Sequence, residues 1–289
     1  MKGLNMAVKD VASSQELNSL ASMMGATAKT PANQNAMRLA QLIVNSQADD
    51  DDGNPLPRGH FTIKDGETPA YAETVNVRVL SNHYQYMTYD PNEKRVTCKS
   101  VEISNWGQEA IDTKGTTRCG KPTSAQLREM SPEDQERHKN TTCFRKIRVL
   151  VSGKAKTATG EVVEWKNKPA IIMAKGTNFN PFEDEVTKML PTGRNTWDFN
   201  IELKSERKKN GSVTWFVMHF HPDFKNPLAM DEEVVGHIKN FAESITAENA
   251  RIKKQYETAL SSQTLDQSAI DAINNSLDDD LNDDLDDVA

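Results

Sequence analysis

This chain has no run of about 18 consecutive apolar residues, the least that a membrane-crossing helix needs, so no such helix is predicted. Cysteine is scarce. Cys98, Cys119 and Cys143 are widely spaced and form no C-x-x-C pair, which excludes a disulfide framework and leaves reduced thiols as the expectation. Also missing are a Walker phosphate loop, a nucleophile elbow, an HExxH zinc helix and a deaminase signature, so no enzyme class is marked by motif. Met1, Lys2 and Gly3 lead into no apolar signal core, which sets a cytoplasmic location as the expectation, the host cytoplasm for a viral protein. The chain contains no internal repeat.

Basic residues are absent from the last dozen positions, where Asp278, Asp279, Asp280, Asp283, Asp284, Asp286 and Asp287 crowd together. Those seven acids equal the whole formal net charge of −7, so the acidic balance describes the tail and not the body. Positions 71 to 225 hold 25 basic and 19 acidic residues, whereas 226 to 289 hold 4 and 15. A basic centre followed by an acidic end is expected of a polyanion binder that carries its own competing polyanion. Asp-rich ends also serve simply to keep proteins soluble. With 289 residues, 36% hydrophobic and 27% charged, the composition fits a soluble protein with one main core.

The spacing from Ser14 to Met24 and from Asn33 to Val44 predicts short helices, with Met37, Leu39, Ala40 and Ile43 on one stripe. The run Asp49 to Asp52, then Gly53, Pro55, Pro57 and Gly59, breaks helix and strand alike and predicts a linker. Strand patterning follows. Val75, Val77 and Val79 alternate with Asn76, Arg78 and Leu80, and continuing that register puts Arg78, Tyr84 and Tyr86 opposite the valines. Arg95 to Trp106 alternates less cleanly, and a polar insert from Gly107 to Thr142 contains a helix start at Ser131, Pro132 and Glu133. In Cys143 to Lys156, Ile147, Val149 and Val151 face away from Phe144, Lys146 and Arg148. Gly160 allows a reversal, a short helix is predicted from Pro181 to Leu190, and Asn210-Gly211 signals a last hairpin. Beyond Met230 an amphipathic helix is predicted through Val234, Ile238, Phe241, Ile245, Ile252, Tyr256 and Leu260.

This order predicts a mainly β protein, α+β overall: an oligonucleotide-binding-type Greek-key barrel with an inserted loop region, flanking N-terminal helices and a long C-terminal helix. A β-sandwich is the alternative. The expected divisions are a helical arm and linker at 1–60, the barrel at 61–228, the amphipathic helix at 229–265 and a disordered acidic tail at 266–289.

Single-stranded nucleic acid requires cations that follow the phosphates and flat side chains on which bases stack. The middle of the chain supplies both, in Arg78, Tyr84, Tyr86, Lys94, Arg95, Lys99, Lys146, Arg148, Lys154, Lys156, Lys166, Lys168, Arg207, Lys208 and Lys209. Trp197 and Trp215 alternate with apolar residues and are expected in the core. A triplet such as Arg207 to Lys209 is ordinarily a solvated turn, and only its company makes it a candidate. Cys98, Cys119, Cys143, His83 and His138 are weakly spaced as zinc ligands, and buried thiols are the plainer reading. His219 and His221 share a side of their strand near Asp223 and are read as ordinary histidines at a hairpin end. No metal or other cofactor is expected.

On strand order, charge layout and acidic tail, the chain resembles a bacteriophage-type single-stranded-DNA-binding protein, over Tyr71 to Lys225 and the C-terminal end. The resemblance implies coating of unwound DNA in replication, recombination and repair, without catalysis. It also implies a tail, Asp278 to Asp287, that competes with DNA and recruits polymerase, helicase or primase. Many such tails finish on an aromatic residue, whereas this one ends in Val288 and Ala289, with Leu277, Leu281 and Leu285 as a substitute apolar stripe. Self-association through the C-terminal helix, giving a homo-oligomer, stands beside packing of that helix on its own barrel. The rival readings are a virion or assembly protein whose barrel binds proteins, and a metal-dependent nucleic-acid enzyme using the histidines and cysteines.

Overall fold

Alternating apolar residues in two unusually long strands set the architecture. The structure, a computed structural model, describes residues 39–50, 53–108, 110–118 and 124–283, the side chains of 117, 118, 133 and 263–283 excepted. The helix expected at Ser14–Met24 lies outside these residues. Strand β1 is Ala40–Val44, β2 Phe61–Lys64, β3 Ala70–Tyr71, β4 Val75–Asp90, β5 Arg95–Lys99, β6 Ala110–Ile111 and β7 Thr117–Arg118. Two short helices follow, α1 at Ser124–Glu129 and α2 at Pro132–Lys139, the latter capped by Ser131, whose hydroxyl accepts from the Asp134 amide at 3.1 Å. Then come β8 (Thr141–Thr157), β9 (Val162–Ala174), a π-helical turn at Glu183–Thr187, β10 (Ile201–Asn210), β11 (Val213–Pro222) and the long helix α3 (Glu232–Asp283).

The strands pair in the order β11-β10-β4-β8-β9-β1-β2, with β5 added to β4 and β3 to β8, in a strongly curled half-barrel sheet. Val77 pairs with Val151 and Val79 with Val149, so one face of β4 and β8 is a continuous apolar surface. On it pack Phe61, Trp165, Phe182, Ile201, Leu203 and Phe220, all buried. Each such side chain stabilises the fold by about 1.5–3 kcal/mol relative to exposure. The curl brings β2 round to the far end of β3: Phe61 and Ala72 exchange backbone hydrogen bonds of 2.7 and 2.9 Å, and β3 pairs with β8.

Two differences from the sequence reading matter for the site. Residues Ala40–Val44, predicted as the end of a helix, form β1, paired with β2 antiparallel and with β9 parallel. The strand wins because Leu42 gains a fully buried place in the core, which an isolated short helix with few apolar residues cannot offer it. The second difference is a bulge. Val79 pairs with Val149 but Ser81 pairs with Arg148, so Leu80 is the extra residue and the alternation of β4 inverts beyond it.

Asp231 caps α3, accepting from the Val234 amide at 2.8 Å. Val234, Ile238 and Phe241 then pack on Leu80 and Leu150, with Leu39 and Trp197 beside them, so α3 covers the outer face of the sheet. α3 runs to Asp283, past position 266 where the sequence divides helix from acidic tail. Among the described residues no helix is long and apolar enough to cross a membrane.

Candidate nucleic-acid interface

Most of the cations proposed from the sequence are already engaged. Arg78 is buried, its Nε donating to the Trp197 carbonyl at 2.6 Å and its Nη2 to that of Ala229 at 2.9 Å, which ties β4 to the segment entering α3. Burial lowers its pKa, with Asp231 and Asp198 opposing. Arg148 donates bidentately to Glu102 at 2.8 and 2.9 Å, and Lys146 pairs with the same carboxylate and with Gln85 Oε1 at 3.0 Å. Neither cation is available to a phosphate, because α3 lies over this face and Asn249 pins the Glu102 backbone at 2.7 and 3.0 Å. Lys99 pairs with Glu248 of α3, and Lys168 with Asp65 and Glu67 at 2.5 and 3.1 Å.

Tyr84 and Tyr86 are also buried, in a cluster with Ile103 and Ala110. The bulge is the reason. Tyr84 pairs with Arg145 and Tyr86 with Cys143, both on the Ile147 and Val149 side of β8, so the two tyrosines share the valine face instead of opposing it. The remaining candidates are exposed but scattered. Lys94 sits in a turn at φ 52°, Arg95 pairs with Glu93 at 2.5 Å, Lys154 and Lys156 line β8, and Lys166 pairs with Glu164 at 3.4 Å. On β10, Lys208 pairs with Glu206 at 2.6 Å, whereas Arg207 and Lys209 stand exposed on the face of Ile201 and Leu203. Asp278, Asp279, Asp280 and Asp283 belong to the last turns of α3, and Asp284, Asp286 and Asp287 lie outside the described residues.

What the fold does bring together is an arc of rings and cations drawn from distant loops and strands. Trp106 is 59% exposed and packs against Phe179 in a tilted contact, with ring centroids 5.8 Å apart and the planes at 59°. Phe179 in turn leans on Tyr84 at 5.9 Å. Below them lies Arg145, whose guanidinium is 5.1 Å from the Tyr84 and Phe179 rings and 5.6 Å from Phe182. Glu183, 3.3 Å away, is its carboxylate partner. Each ring gains from a desolvated cation over its face, and Arg145 is held rigid by three of them.

The arc continues through Asn178, which donates to the Phe216 carbonyl at 3.3 Å and accepts from the Met218 amide at 2.6 Å. This amide occupies the edge of β11 as a neighbouring strand would, and it fixes Phe179 beside the hairpin. Phe216 carries Arg58 over its ring at 5.9 Å and lies opposite Arg207. Gly59 makes the approach feasible: its φ is +83°, and a Cβ there would come within 2.7 Å of the Phe216 ring. Trp106, Phe179 and Phe216 are thus flat groups with Arg145, Arg58, Arg207 and Lys209 interspersed. The sequence signal for Trp106 and Phe179 was weak, since both sit in loops without alternation.

His219 and Cys143 lie in defined surroundings of their own. His219 lies between Glu185 and Glu206, at 2.6 Å from Nδ1 and 3.1 Å from Nε2. Burial pushes the Cys143 thiol up to about 11, with Arg145 and Tyr86 opposing. Among the described residues no three His, Cys, Asp or Glu side chains are grouped to hold a metal, and Cys119 lies outside them. No protein-family model matches this chain, and no curated protein or solved structure matches it either.

Proposed function

We propose that this protein binds single-stranded DNA without regard to sequence, in the manner of a phage-type replication, recombination and repair accessory, and that it acts by binding and not by catalysis. The observation that carries the reading is Trp106, a tryptophan left 59% exposed whose ring leans at a tilt on Phe179, beside a buried arginine. An unpaired base slides onto such a ring by its face, which every base possesses, and stacking of this kind contributes about 1–3 kcal/mol per base. Phe216 with Arg58 and Arg207 offers a second step along the same strand. The oligonucleotide-binding-type barrel belongs to this proposal as well: the pairings that run from β8 through β9, β1 and β2 and return by way of Ala72 and β3 support it. So does the proposed role of the acidic end, which imitates the strand and engages basic partners such as a polymerase, helicase or primase.

A second reading, a protein-binding assembly factor, is favoured by one observation: Arg78, Lys99, Lys146, Arg148 and Lys168 are held by groups of their own chain. The two readings part on one titration of labelled oligothymidine against duplex DNA over a range of salt. Single-strand binding is expected to weaken steeply as salt rises, to quench tryptophan emission, and to fall by about tenfold in Trp106→Ala, the equivalent of one lost stacking contact. Equal affinity for the duplex, or an unchanged Trp106→Ala, would remove the stacking site.

A further inference from the structure

A second cationic surface lies on the other side of the sheet. Leu150 alternates with the core residues Val149 and Val151, and α3 packs on Leu150 and Leu80, so α3 occupies the face opposite Tyr84 and Arg145. Where α3 passes β5 it leaves an open cleft of about 740 Å³, lined by Lys99 and Thr113 on one side and by Arg251, Lys254, Gln255 and Thr258 on the other. The four helical positions fall at i, i+3, i+4 and i+7 and therefore share one face of α3. Gly115 lets its loop approach α3 closely, since a Cβ there would meet Ala259 and the Leu260 amide nitrogen at 3.3 Å.

Three cations line this cleft, and one carboxylate sits among them. Glu248 pairs with Lys99 and accepts from Arg251 at 2.8 and 2.9 Å. Burial alone would raise its pKa, but the Arg251 and Lys99 bonds outweigh that and hold it at about 2. It is a permanent anion. Lys254 has no ion-pair partner among the described residues, so the cleft retains an excess of positive charge. Arg251 and Lys99 keep 42% and 32% of their side-chain surface exposed, enough for a ligand to reach them from solvent. The Thr113 hydroxyl accepts from the Lys99 amide at 3.3 Å, which leaves its own O–H to donate. Positive charge in excess of one carboxylate, with a fork-shaped guanidinium and a hydroxyl donor, matches a ligand that presents several anionic oxygens at once.

We propose that this cleft binds a phosphate group, with Arg251 and Lys254 as its contacts and Glu248 as the internal anion that it displaces. The phosphate is either free or part of a strand backbone. The full-length chain, at low salt, would be titrated with inorganic pyrophosphate and separately with an abasic deoxyribose-phosphate oligomer. Lys254→Ala is expected to weaken at least one probe by about tenfold, a single charge-assisted contact, and Glu248→Gln to tighten it. Weakened pyrophosphate binding identifies free phosphate as a ligand, and an effect on the oligomer alone identifies a backbone. Lys254 is exposed, so the variant is expected to melt as the parent does. Trp106→Ala is expected to leave both probes unaffected, because neither offers a base. If Lys254→Ala binds both probes as the parent does, or if neither probe binds the parent, the proposal is overturned.

Discussion

Glu102 shows how one residue decides the fate of two others. Its carboxylate is 1% exposed and holds both Lys146 and Arg148. Burial would raise its pKa, but the hydrogen bond from Arg148 and the charge of Lys146 prevail, and the group titrates below its ordinary range. A carboxylate with a lowered folded pKa contributes stability that is present above its unfolded pKa near 4.5 and is lost as the pH falls through the folded value. Glu102→Ala is expected to cost about 3–5 kcal/mol, because it leaves two buried cations with no counter-charge. Urea unfolding of the variant at neutral pH measures this, and the difference from the parent should shrink as the pH is taken below about 4.5. Replacing Glu102, Lys146 and Arg148 together by apolar residues should cost far less. Nothing in the sequence marks Glu102 as their partner, since it lies more than 40 positions away in a segment with no clean pattern.

Among the elements, β1 and α3 carry the lesson of context. β1 is five residues long and pairs on both sides, so removing it would expose the edges of β2 and β9 and unseat Leu42. α3 reads correctly as amphipathic from its spacing, and its apolar stripe meets Leu80 and Leu150 as an outer layer. Phe241 is 1% exposed at this contact, and Phe241→Ala is expected to destabilise by about 3–5 kcal/mol through the cavity it leaves. Thermal unfolding would register the loss. An unchanged midpoint would mean that α3 is not anchored to the sheet by this stripe. The hairpin at Asn210, the Ser131 cap and the turn at Gly160 were all legible, because each depends on residues within a few positions of one another.

At the scale of the whole molecule, charge is partitioned between a body that balances to zero and an end that does not. Within the body, internal pairing consumes many of the cations that made the middle look like a continuous basic surface. Among the described residues, cations that remain near a candidate ligand surface lie in the ring arc around Phe179 and Phe216, along β8 and in the cleft beside α3. If the acidic end competes with DNA for these, truncation after Leu277 should strengthen oligothymidine binding at low ionic strength. The gain should vanish at high salt, where the competition is screened. A truncated chain that binds no tighter than the parent would restrict the tail to partner contacts.

Periodicity, capping and composition act over short range, and they suffice to fix the β-rich class, the turns, the C-terminal helix and the separation of charge. Which cations are spent in pairing, that Ala40–Val44 joins the sheet, and that a single extra residue at Leu80 turns Tyr84 and Tyr86 inward emerge only in the folded molecule. The physical reason is common to all three. Pairing, strand partnership and facing direction are settled by contacts between positions far apart in the chain, and one bulge inverts every face that follows it.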